Sequence, residues 1–496
     1  MASYIGIDLG TTYSAVAYVD QNGIPKIIEN EGKNITASCV MLENDSLIVG
    51  SIPESRYGCK GFEVGARFKR EMGEESNTKL GLQSFSPTDL STAVLEKMRK
   101  VAEHEIGEVA EAVITIPANY MQEARDATMV AAKKAGLNVK YIINEPTAAA
   151  LYYGYKEGSS LAGNYIIYDL GGGTFDVSVV RVDGESVEVI ATEGISKLGG
   201  DDFDRALREI VKSKFSEITG NEVSDLELPL SEMVKLKIQL SSANKKPIIV
   251  EGEMIEISRG EFEDSISALI LQTELLCENV LEEANMSTGD ISAVFLAGGS
   301  TRIPLVQKSI KKIFKKEPIA SANVDEVVAL GAALYAAMKS SGEHLNATQS
   351  ASMQKLKLSE ISTYYFGTLS INFNQARDSQ EMQNTVIINK GEKIPCSKTK
   401  MFTTVHDNQT AIKCVVTKSG SPETDPRFVN TVWEGQLDIP DGRPAGQKIE
   451  VKYSFDDNGM MQCEFLDVES NRKTEIDLDS ISGESAPSNI DKFLVD

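Results

Sequence analysis

The fold is decided by a stretch near the start of the chain, Tyr4-Ile5-Gly6-Ile7-Asp8-Leu9-Gly10-Thr11-Thr12, and by its later repeat, Tyr165-Ile166-Ile167-Tyr168-Asp169-Leu170-Gly171-Gly172-Gly173-Thr174. Each copy reads as a buried strand that ends in Asp, then a Gly/Thr turn, then a second strand, over 14–19 and 177–182. One copy alone would be consistent with an ordinary β-turn. Two copies with Asp-Leu-Gly before the Thr indicate a duplicated unit.

The repeated turn is suited to an anionic phosphate. Successive backbone N–H groups and Thr hydroxyls can point at one anion, and an Asp at each strand end can hold a metal ion through water. The sequence contains no Gly-x-x-x-x-Gly-Lys-[Ser/Thr] motif, and each turn leads into a strand, so the site is not a P-loop. Two such hairpins could clamp one nucleotide. Gly-Gly turns at 198–202 and 298–302 could approach its phosphates and its adenine or ribose.

Helical patterns lie between the two copies. Apolar residues recur at helical spacing over 90–101, after a turn at 87–89, and a second helical segment over 122–134 stops at Gly136. Glu145-Pro146 begins a third helix, with Pro in the first turn. Strands that alternate with helices predict an α/β layered domain.

Composition excludes several classes of function. The chain has 496 residues, 41% apolar and 25% charged, which predicts two or more globular domains. Its net charge of −23 disfavours nucleic-acid and anionic membrane partners. His104, His344 and His406 are far apart in sequence, which disfavours a His-based triad or metal site.

Cysteine spacing and hydropathy predict the cellular compartment of the protein. The six cysteines include no Cys-x-x-Cys pair and are widely spaced, which is typical of reduced thiols in a cytoplasmic protein. The longest apolar run, 327–338, is too short to span a bilayer, and the start lacks a basic leader. We therefore expect a cytoplasmic protein without a membrane partner.

Five ordered motifs together resemble the DnaK-type heat-shock protein 70 (Hsp70) chaperones. The resemblance extends from residue 1 to about Asp479, and Arg67-Phe68-Lys69-Arg70-Glu71-Met72-Gly73 is most similar to the HscC-type branch. It implies an α/β actin-like (ribonuclease H-like, duplicated) two-lobed ATPase domain, followed by an antiparallel β-sandwich that holds peptides. The motifs lie at 5–19, 142–150, 168–177, 198–204 and 298–304.

The resemblance also implies domain boundaries. The ATPase domain would cover 1–340, an interdomain linker 341–360, the β-sandwich 361–483 and a short tail 484–496, in the place of the family's helical lid. Thirteen residues after Gly483 are too few for a multi-helix lid, and they predict a short amphipathic turn around Ile490, Phe493 and Leu494. The sequence leaves open whether the lid is naturally absent or has been removed.

The resemblance assigns roles in ATP hydrolysis. Asp8, Asp169 and Asp176 would surround Mg²⁺ and K⁺, and Lys69 would place the attacking water, with Glu145 and Thr174 as further catalytic residues. Taken alone, Lys69 would be a solvated surface charge and Glu145 a helix-start acid. The residues implied for phosphates are Gly10, Thr11, Thr12, Tyr13, Gly171, Gly172, Gly173, Gly199, Gly200 and Asp201, and those for adenosine are Lys237, Ser241, Gly298, Gly299, Ser300, Arg302 and Asp325.

The second domain shows strand periodicity. Apolar residues alternate over 449–455, a turn follows at 456–459, and alternation resumes over 461–465, which predicts an antiparallel hairpin. The segment 402–412 resembles the family's peptide groove. Phe402, Val405, Ile412 and Ile371 are candidates for its apolar pocket, although each would fit a plain sandwich core equally well.

Four features of the sequence bear on communication between the domains. The segment 340–352 predicts a flexible connector, and Lys355 and Lys357 interrupt a linker that is mostly aliphatic in the family. Pro117 and Arg125 match the family's interlobe relay. Substitutions at 121, 122 and 141 change positions that in the family help to receive J-domain cochaperones. The linker changes predict weakened coupling.

The residues and the resemblance together predict an ATP-dependent molecular chaperone. It would bind extended apolar segments of unfolded proteins and use ATP hydrolysis to regulate that binding, with a J-domain cochaperone and a nucleotide-exchange factor as further partners that the family implies. An actin-like ATPase, a small-molecule kinase and a specialised regulatory peptide binder are the alternatives. The predicted β domain favours the chaperone, because a kinase has no use for a groove module.

Overall fold

The computed structural model describes residues 3–157, 162–183, 186–320, 323–340, 345–353, 357–374, 379–456, 459–477 and 490–496. Contacts divide the chain into two compact units. The first unit contains Met1–Leu358 together with Ala486–Asp496, and the second contains Ser359–Ser485.

The first unit is a mixed α/β structure. Its strands are β1 (Ser3–Asp8), β2 (Tyr13–Val19), β3 (Pro25–Ile28), β4 (Thr36–Ala37), β5 (Cys39–Glu43), β6 (Ser46–Val49), β7 (Val64–Ala66), β8 (Thr78–Leu80), β9 (Gln83–Phe85), β10 (Val109–Ile116), β11 (Val139–Asn144), β12 (Ala162–Leu170), β13 (Phe175–Asp183), β14 (Ser186–Ile195), β15 (Lys245–Val250), β16 (Glu253–Ser258), β17 (Ile291–Ala297) and β18 (Ile319–Ala320). Its helices are α1 (Ser51–Arg56), α2 (Pro87–Ile106), α3 (Gln122–Lys134), α4 (Glu145–Glu157), α5 (Gly200–Thr219), α6 (Leu230–Ser242), α7 (Arg259–Glu283), α8 (Pro304–Phe314), α9 (Val327–Lys339) and α10 (Ala347–Met353).

Two sheets of the first unit share one topology. One has the order β11-β10-β1-β2-β3 and the other includes β18-β17-β12-β13-β14. In both, the first three strands in sequence are antiparallel, and the next two join in parallel on the other side of the first strand. The two repeated sequence stretches therefore occupy equivalent places, at the hairpins β1-β2 and β12-β13.

Local sequence explains the helix boundaries. In α2, the Ser86 hydroxyl accepts the Asp89 N–H at 3.1 Å, and the Asp89 carboxylate accepts the Ser86 N–H in return, a capping box with Pro87 in the first turn. Helix α3 covers the predicted residues, and the chain turns at Gly136, where φ is +75°. These predicted helices are confirmed.

Three apolar clusters fill the first unit. One lies around β12–β14 with α5–α8, and a second is built by α4 and α9 against both sheets. Helix α9 is buried along most of its length, since Val327, Leu330 and Leu334 are at most 7% exposed. The third cluster lies around β1, β5, β6 and α2.

In its described residues, the second unit is built of β-strands. They are β20 (Tyr365–Asn374), β21 (Ser379–Ile388), β22 (Lys393–Ile394), β23 (Cys396–Thr403), β24 (Ala411–Ser419), β25 (Asn430–Asp438), β26 (Lys448–Phe455), β27 (Met461–Asp467) and β28 (Arg472–Asp477). Two four-stranded sheets have the orders β21-β20-β24-β25 and β23-β26-β27-β28. Tyr453 lies fully buried in its core and donates a hydrogen bond of 2.9 Å to the Gly367 carbonyl. The predicted hairpin is confirmed, because Phe455 pairs with Met461. Two strands remain: β19 (Lys357–Ile361) spans the boundary between the units, and β29 (Leu494–Val495) belongs to the first unit.

The structure contains a helix in the predicted flexible connector and a short strand in the predicted amphipathic tail. The connector over 340–352 contains most of helix α10, which is anchored by the buried side chain of Met353. In the tail, Ile490 is buried and Phe493 is half-buried as expected, but Leu494 is 71% exposed and Val495 takes the buried place. The difference arises because this segment continues as a strand, in which neighbouring side chains point to opposite faces.

The structure describes the predicted linker only in part. Lys355 and the side chain of Lys357 lie outside the described residues, whereas Leu358 packs against the cluster of α4 and α9. Among the described residues, no helix is both long enough and apolar enough to cross a membrane.

Candidate functional site

The two repeated turns line one cleft in the first unit. They face each other across one pocket, and residues of both turns line it. The predicted residues at this cleft are Asp8, Gly10, Thr11, Thr12, Tyr13, Lys69, Glu145, Asp169, Gly171, Gly172, Gly173, Thr174, Gly298, Gly299 and Asp325.

The two hairpins approach each other so closely that glycine is required between them. A Cβ atom on Gly172 would lie 1.8 Å from the Thr12 hydroxyl oxygen, and one on Gly173 would lie 2.5 Å from the Thr11 methyl carbon. Any larger residue would push the turns apart. The Gly-Gly-Gly-Thr turn thereby lines the same space as the turn at 10–13.

The turn before α5 closes on the second hairpin. Gly200 and Asp201 donate backbone hydrogen bonds to the Gly171 and Gly172 carbonyls, at 3.0 and 2.8 Å. A Cβ on Gly199 would lie 2.5 Å from the Gly172 carbonyl oxygen. These contacts use the first two N–H groups of α5 and bring its N-terminus beside the Gly-Gly-Gly turn.

Lys69 is a buried cation and not a surface charge. It lies in a 3₁₀ turn, Phe68–Glu71, which the chain enters through Arg67 at a φ of +64°. Its ammonium donates a hydrogen bond of 2.5 Å to the Glu145 carboxylate at the start of α4. Burial is the largest single influence and acts to lower the pKa of Lys69. The charges of Glu145, Tyr120 and Asp8 together with the hydrogen bond to Glu145 outweigh it, so the pKa rises and Lys69 stays positively charged.

Tyr120 supports this turn. Its hydroxyl donates a hydrogen bond of 2.8 Å to the Lys69 carbonyl, and the Lys69 ammonium lies 5.9 Å from the centre of its ring. Lys69 is therefore fixed from two sides, by its backbone and by its charge.

Three of the carboxyl groups in or beside the cleft have raised pKa values. Burial raises the pKa of Asp8 to about 7, with a further rise from Glu145, although Thr115 donates a hydrogen bond of 2.9 Å to its carboxylate. Burial followed by the charge of Glu145 also raises the pKa values of Asp169 and Asp176 well above their usual range. Asp176 is 1% exposed and lies behind the lining of the cleft.

This donor set fits a hydrated cation. Burial is the first cause of the raised pKa values of Asp8 and Asp169, and the charge of Glu145 is the next. A divalent cation would favour the ionised form of both carboxylates. Among the described residues, no three His, Cys, Asp or Glu side chains are close enough together to ligate one metal. Mg²⁺ commonly keeps several waters and binds one or two carboxylates together with phosphate oxygens, so Asp8 and Asp169 suit it.

Of the residues predicted to contact adenosine, Gly298, Gly299 and Asp325 form the far wall of the cleft. A Cβ on Gly299 would lie 2.7 Å from Asp325, and Arg302 donates a hydrogen bond of 2.6 Å to the Asp325 carboxylate. Ser300 donates a hydrogen bond of 2.8 Å to the Gly171 carbonyl and so joins this wall to the Gly-Gly-Gly turn. Gly298 has a φ of +79°, the left-handed region that favours glycine.

Lys237 and Ser241 lie one helical turn apart on α6. Lys237 donates to the Gly200 carbonyl at 2.9 Å and to Asp204 at 2.8 Å, and the Ser241 hydroxyl donates to the Lys237 carbonyl at 3.2 Å. Lys237 thus pairs with α5, and neither side chain lines the cleft.

The two relay candidates lie close to Glu145. Pro117 is buried directly after β10, and its carbonyl accepts the Tyr120 N–H at 3.2 Å. Arg125, on α3, donates a hydrogen bond of 3.1 Å to the Asn144 side chain. Both therefore contact residues that adjoin the Lys69–Glu145 pair.

Two ion pairs at the cleft were not anticipated from sequence. Arg67 contacts Asp201 at 2.9 Å, and Arg70 makes two hydrogen bonds to Asp202 at 3.3 and 2.8 Å. They join the turn that carries Lys69 to the start of α5. The sequence shows a cation on each side of Lys69, Arg67 and Arg70, and this was the available signal for ion pairs at this turn. Their acidic partners lie too far away in sequence to be assigned from it.

The candidate groove residues lie in the second unit. Phe402 and Ile412 are half-buried against its core, and Val405 lies in the loop between their strands. Ile371 is 40% exposed on β20, opposite Met382, which is 52% exposed. In the described chain, β23 pairs only with β26, so Phe402 belongs to an edge strand.

The site and the fold define a two-unit protein. A mixed α/β unit, with a cleft between two Gly/Thr turns, accompanies a β-sheet unit. A sequence model of the family described as Hsp70 protein matches residues 4–82 and 74–496. The chain belongs to the Hsp70 family. Hsp70 proteins are ATPases that bind ATP or ADP with Mg²⁺ and act as chaperones on unfolded peptides, so membership supports an ATPase and chaperone function in general.

Proposed function

We propose that this chain is an ATP-dependent molecular chaperone, in which the first unit hydrolyses ATP and the second binds extended apolar peptides. The observation that carries this proposal is the Lys69 ammonium, which is buried in a cleft between two facing Gly/Thr hairpins. Phosphoryl transfer to water needs positioning and charge neutralisation, with little covalent chemistry from the protein.

Each group of residues has a proposed role. The turns at 10–13 and 171–174 bind the phosphates through N–H groups and hydroxyls, and Lys69 places the attacking water and offsets charge on the terminal phosphate. Asp8 and Asp169 would hold Mg²⁺ and K⁺ through water, and bound Mg²⁺ would neutralise phosphate charge. Glu145 keeps Lys69 charged and in place.

The adenosine wall and the fold agree with this proposal. Gly298, Gly299, Ser300, Arg302 and Asp325 are proposed to hold the adenosine, with Lys237 and Ser241 supporting that side from α6. The duplicated topology of the two sheets supports an actin-like, ribonuclease H-like architecture.

We also infer that the chain belongs to the HscC-type branch, from its sequence over 67–73. A cytoplasmic location is inferred because all six cysteines are free.

The second unit is proposed to bind peptide by strand addition. An extended segment would form main-chain hydrogen bonds along the free edge of β23, and its side chains would enter a pocket that includes Phe402, Val405 and Ile412. Ile371 is exposed enough to contribute from β20.

We further propose that coupling between nucleotide and peptide is weak. The support is in the sequence, since Lys355 and Lys357 interrupt the linker and positions 121, 122 and 141 differ from the pattern that receives J-domain cochaperones. ATP should then lower peptide affinity only a few-fold, a coupling of about 1 kcal/mol. Peptide release followed by fluorescence anisotropy tests this, and a hundredfold acceleration by ATP would contradict it.

The function itself is tested by ATP hydrolysis of the full chain with and without Mg²⁺ and an unfolded peptide. We expect slow hydrolysis that requires Mg²⁺, and saturable binding of the peptide to the same preparation. Comparing K⁺ with Na⁺ tests the second ion. A folded chain that binds ATP but never releases phosphate, or that binds no apolar peptide, would contradict the proposal.

A further inference from the structure

The segment Ile490–Asp496 lies in the first unit, although the strands just before it in sequence belong to the second. After a 3₁₀ turn, Ile490–Lys492, strand β29 pairs in parallel with β6. The Asp496 N–H donates to the Leu47 carbonyl at 2.9 Å, and the Val49 N–H donates to the Asp496 carbonyl at 2.8 Å. The segment therefore extends the sheet β29-β6-β5-β7.

Its side chains are divided between a buried and an exposed face. Ile490 is 4% and Val495 1% exposed, and both belong to the cluster around β6 and α2, whereas Leu494 is 71% exposed. The Phe493 ring centre lies 5.6 Å from that of Phe85. This burial of alternate side chains is the pattern by which strand-addition sites select a peptide.

Helix α2 contributes a polar anchor. Lys100 lies on α2, and its ammonium donates a hydrogen bond of 2.7 Å to the Val495 carbonyl. The segment therefore pairs with β6 along one edge, and the Lys100 ammonium binds its main chain from the other edge. A strand edge, an apolar pocket and a directed cation together make up a binding site for an extended peptide.

We propose that the groove between β6 and α2 is a second peptide-binding site, on the ATPase unit and separate from the β-sandwich. It takes an apolar segment with the spacing Ile-x-x-Phe-x-Val, and its occupant is the chain's own Ile490–Asp496. The second unit is thereby attached to the first at both of its ends, at Leu358–Ser359 and through this segment. Release of the segment leaves a single attachment.

The test compares two changes in the full chain. Val495→Asp places a charge at the buried position and should release the segment, whereas Leu494→Asp places the same charge at the exposed neighbour and should not. Hydrogen exchange at the Val49 amide should accelerate at least tenfold in the first variant and match wild type in the second. Equal exchange in the two variants would overturn the proposal.

Peptide binding gives an independent readout. A labelled peptide, Ile-Asp-Lys-Phe-Leu-Val-Asp, should bind the Val495→Asp chain at least tenfold more tightly than wild type or the Leu494→Asp chain, because their own segment competes. Binding should persist when Ile412→Asp is added, since the proposed sandwich groove is not used. Equal affinity for all chains would contradict the proposal, as would sedimentation showing that wild type pairs through the segment of a second copy.

Discussion

Lys69 and Glu145 form a buried ion pair of 2.5 Å that joins a 3₁₀ turn to the start of helix α4. Their side chains are 4% and 9% exposed. A buried charge without a partner is costly, so this pairing holds Lys69 in the cleft as a cation. The proposed role of Lys69 in ATP hydrolysis depends on that fixed position.

The raised pKa of Asp8 predicts a dependence of stability on pH. Burial raises this pKa to about 7, above its ordinary value of 3.8, so the folded chain holds the proton more tightly. Its contribution to the free energy of unfolding is present in full below about pH 4 and is lost as pH rises through 7. We expect Asp8→Asn to gain thermal stability relative to wild type between pH 5 and pH 8, without Mg²⁺.

Calorimetry of the nucleotide-free chain measures this difference, with the exposed Asp183→Asn as the control that should follow wild type. Mg²⁺ should oppose the loss, because it favours the ionised carboxylate. A difference between Asp8→Asn and wild type that does not change with pH would show that Asp8 ionises normally in the folded chain.

The contact between the hairpins predicts that Gly172→Ala disrupts the cleft. The added Cβ would lie 1.8 Å from the Thr12 hydroxyl oxygen, so one turn must move. We expect a loss of about 1–3 kcal/mol in stability, and ATP affinity should fall by an order of magnitude or more. Calorimetric titration measures the affinity.

The matched control is Gly260→Ala in helix α7, where the nearest atom would lie 4.0 Å away and a slight gain in stability is expected. If both variants bound ATP as wild type does, the hairpins would not be in contact in solution.

The proposed groove predicts a separable defect in peptide binding. Ile412→Asp places a charge in a half-buried apolar site of the second unit and should abolish binding of an extended apolar peptide. ATP hydrolysis should be unchanged, since Ile412 lies outside the first unit. Anisotropy of a labelled peptide measures the loss, with exposed Lys413→Ala on the same strand as the control.

A thermal melt must show that the Ile412→Asp unit is folded. If it is not, Phe402→Ala is the milder substitution at the same pocket. Wild-type peptide affinity in a folded variant would remove Ile412 from the groove.

Local pattern predicted much of the first unit. The strand, Asp, Gly/Thr turn and second strand appear where the two copies place them, because each is specified by residues adjacent in sequence. Helices α2 and α3 were predicted for the same reason. The convergence of Asp8 and Asp169 on one cleft was inferred from the repeat, and not from periodicity.

Contacts between distant segments could not be predicted. The pairs Arg67–Asp201 and Arg70–Asp202 join residues more than a hundred positions apart, and nothing local marks either as a partner. The tail illustrates the same limit. Ile490 and Phe493 were expected on one apolar face, but β6 as a pairing partner, and hence the burial of Val495, depends on tertiary structure.

The most direct test of the central claim is single-turnover ATP hydrolysis by Lys69→Ala. We predict that the variant binds Mg²⁺-ATP with an affinity close to wild type but hydrolyses it slower by on the order of 10²-fold or more. The control is Lys245→Ala, which removes an exposed lysine paired with Glu256 and should hydrolyse at the wild-type rate. Unchanged single-turnover hydrolysis in a folded Lys69→Ala chain would contradict the account.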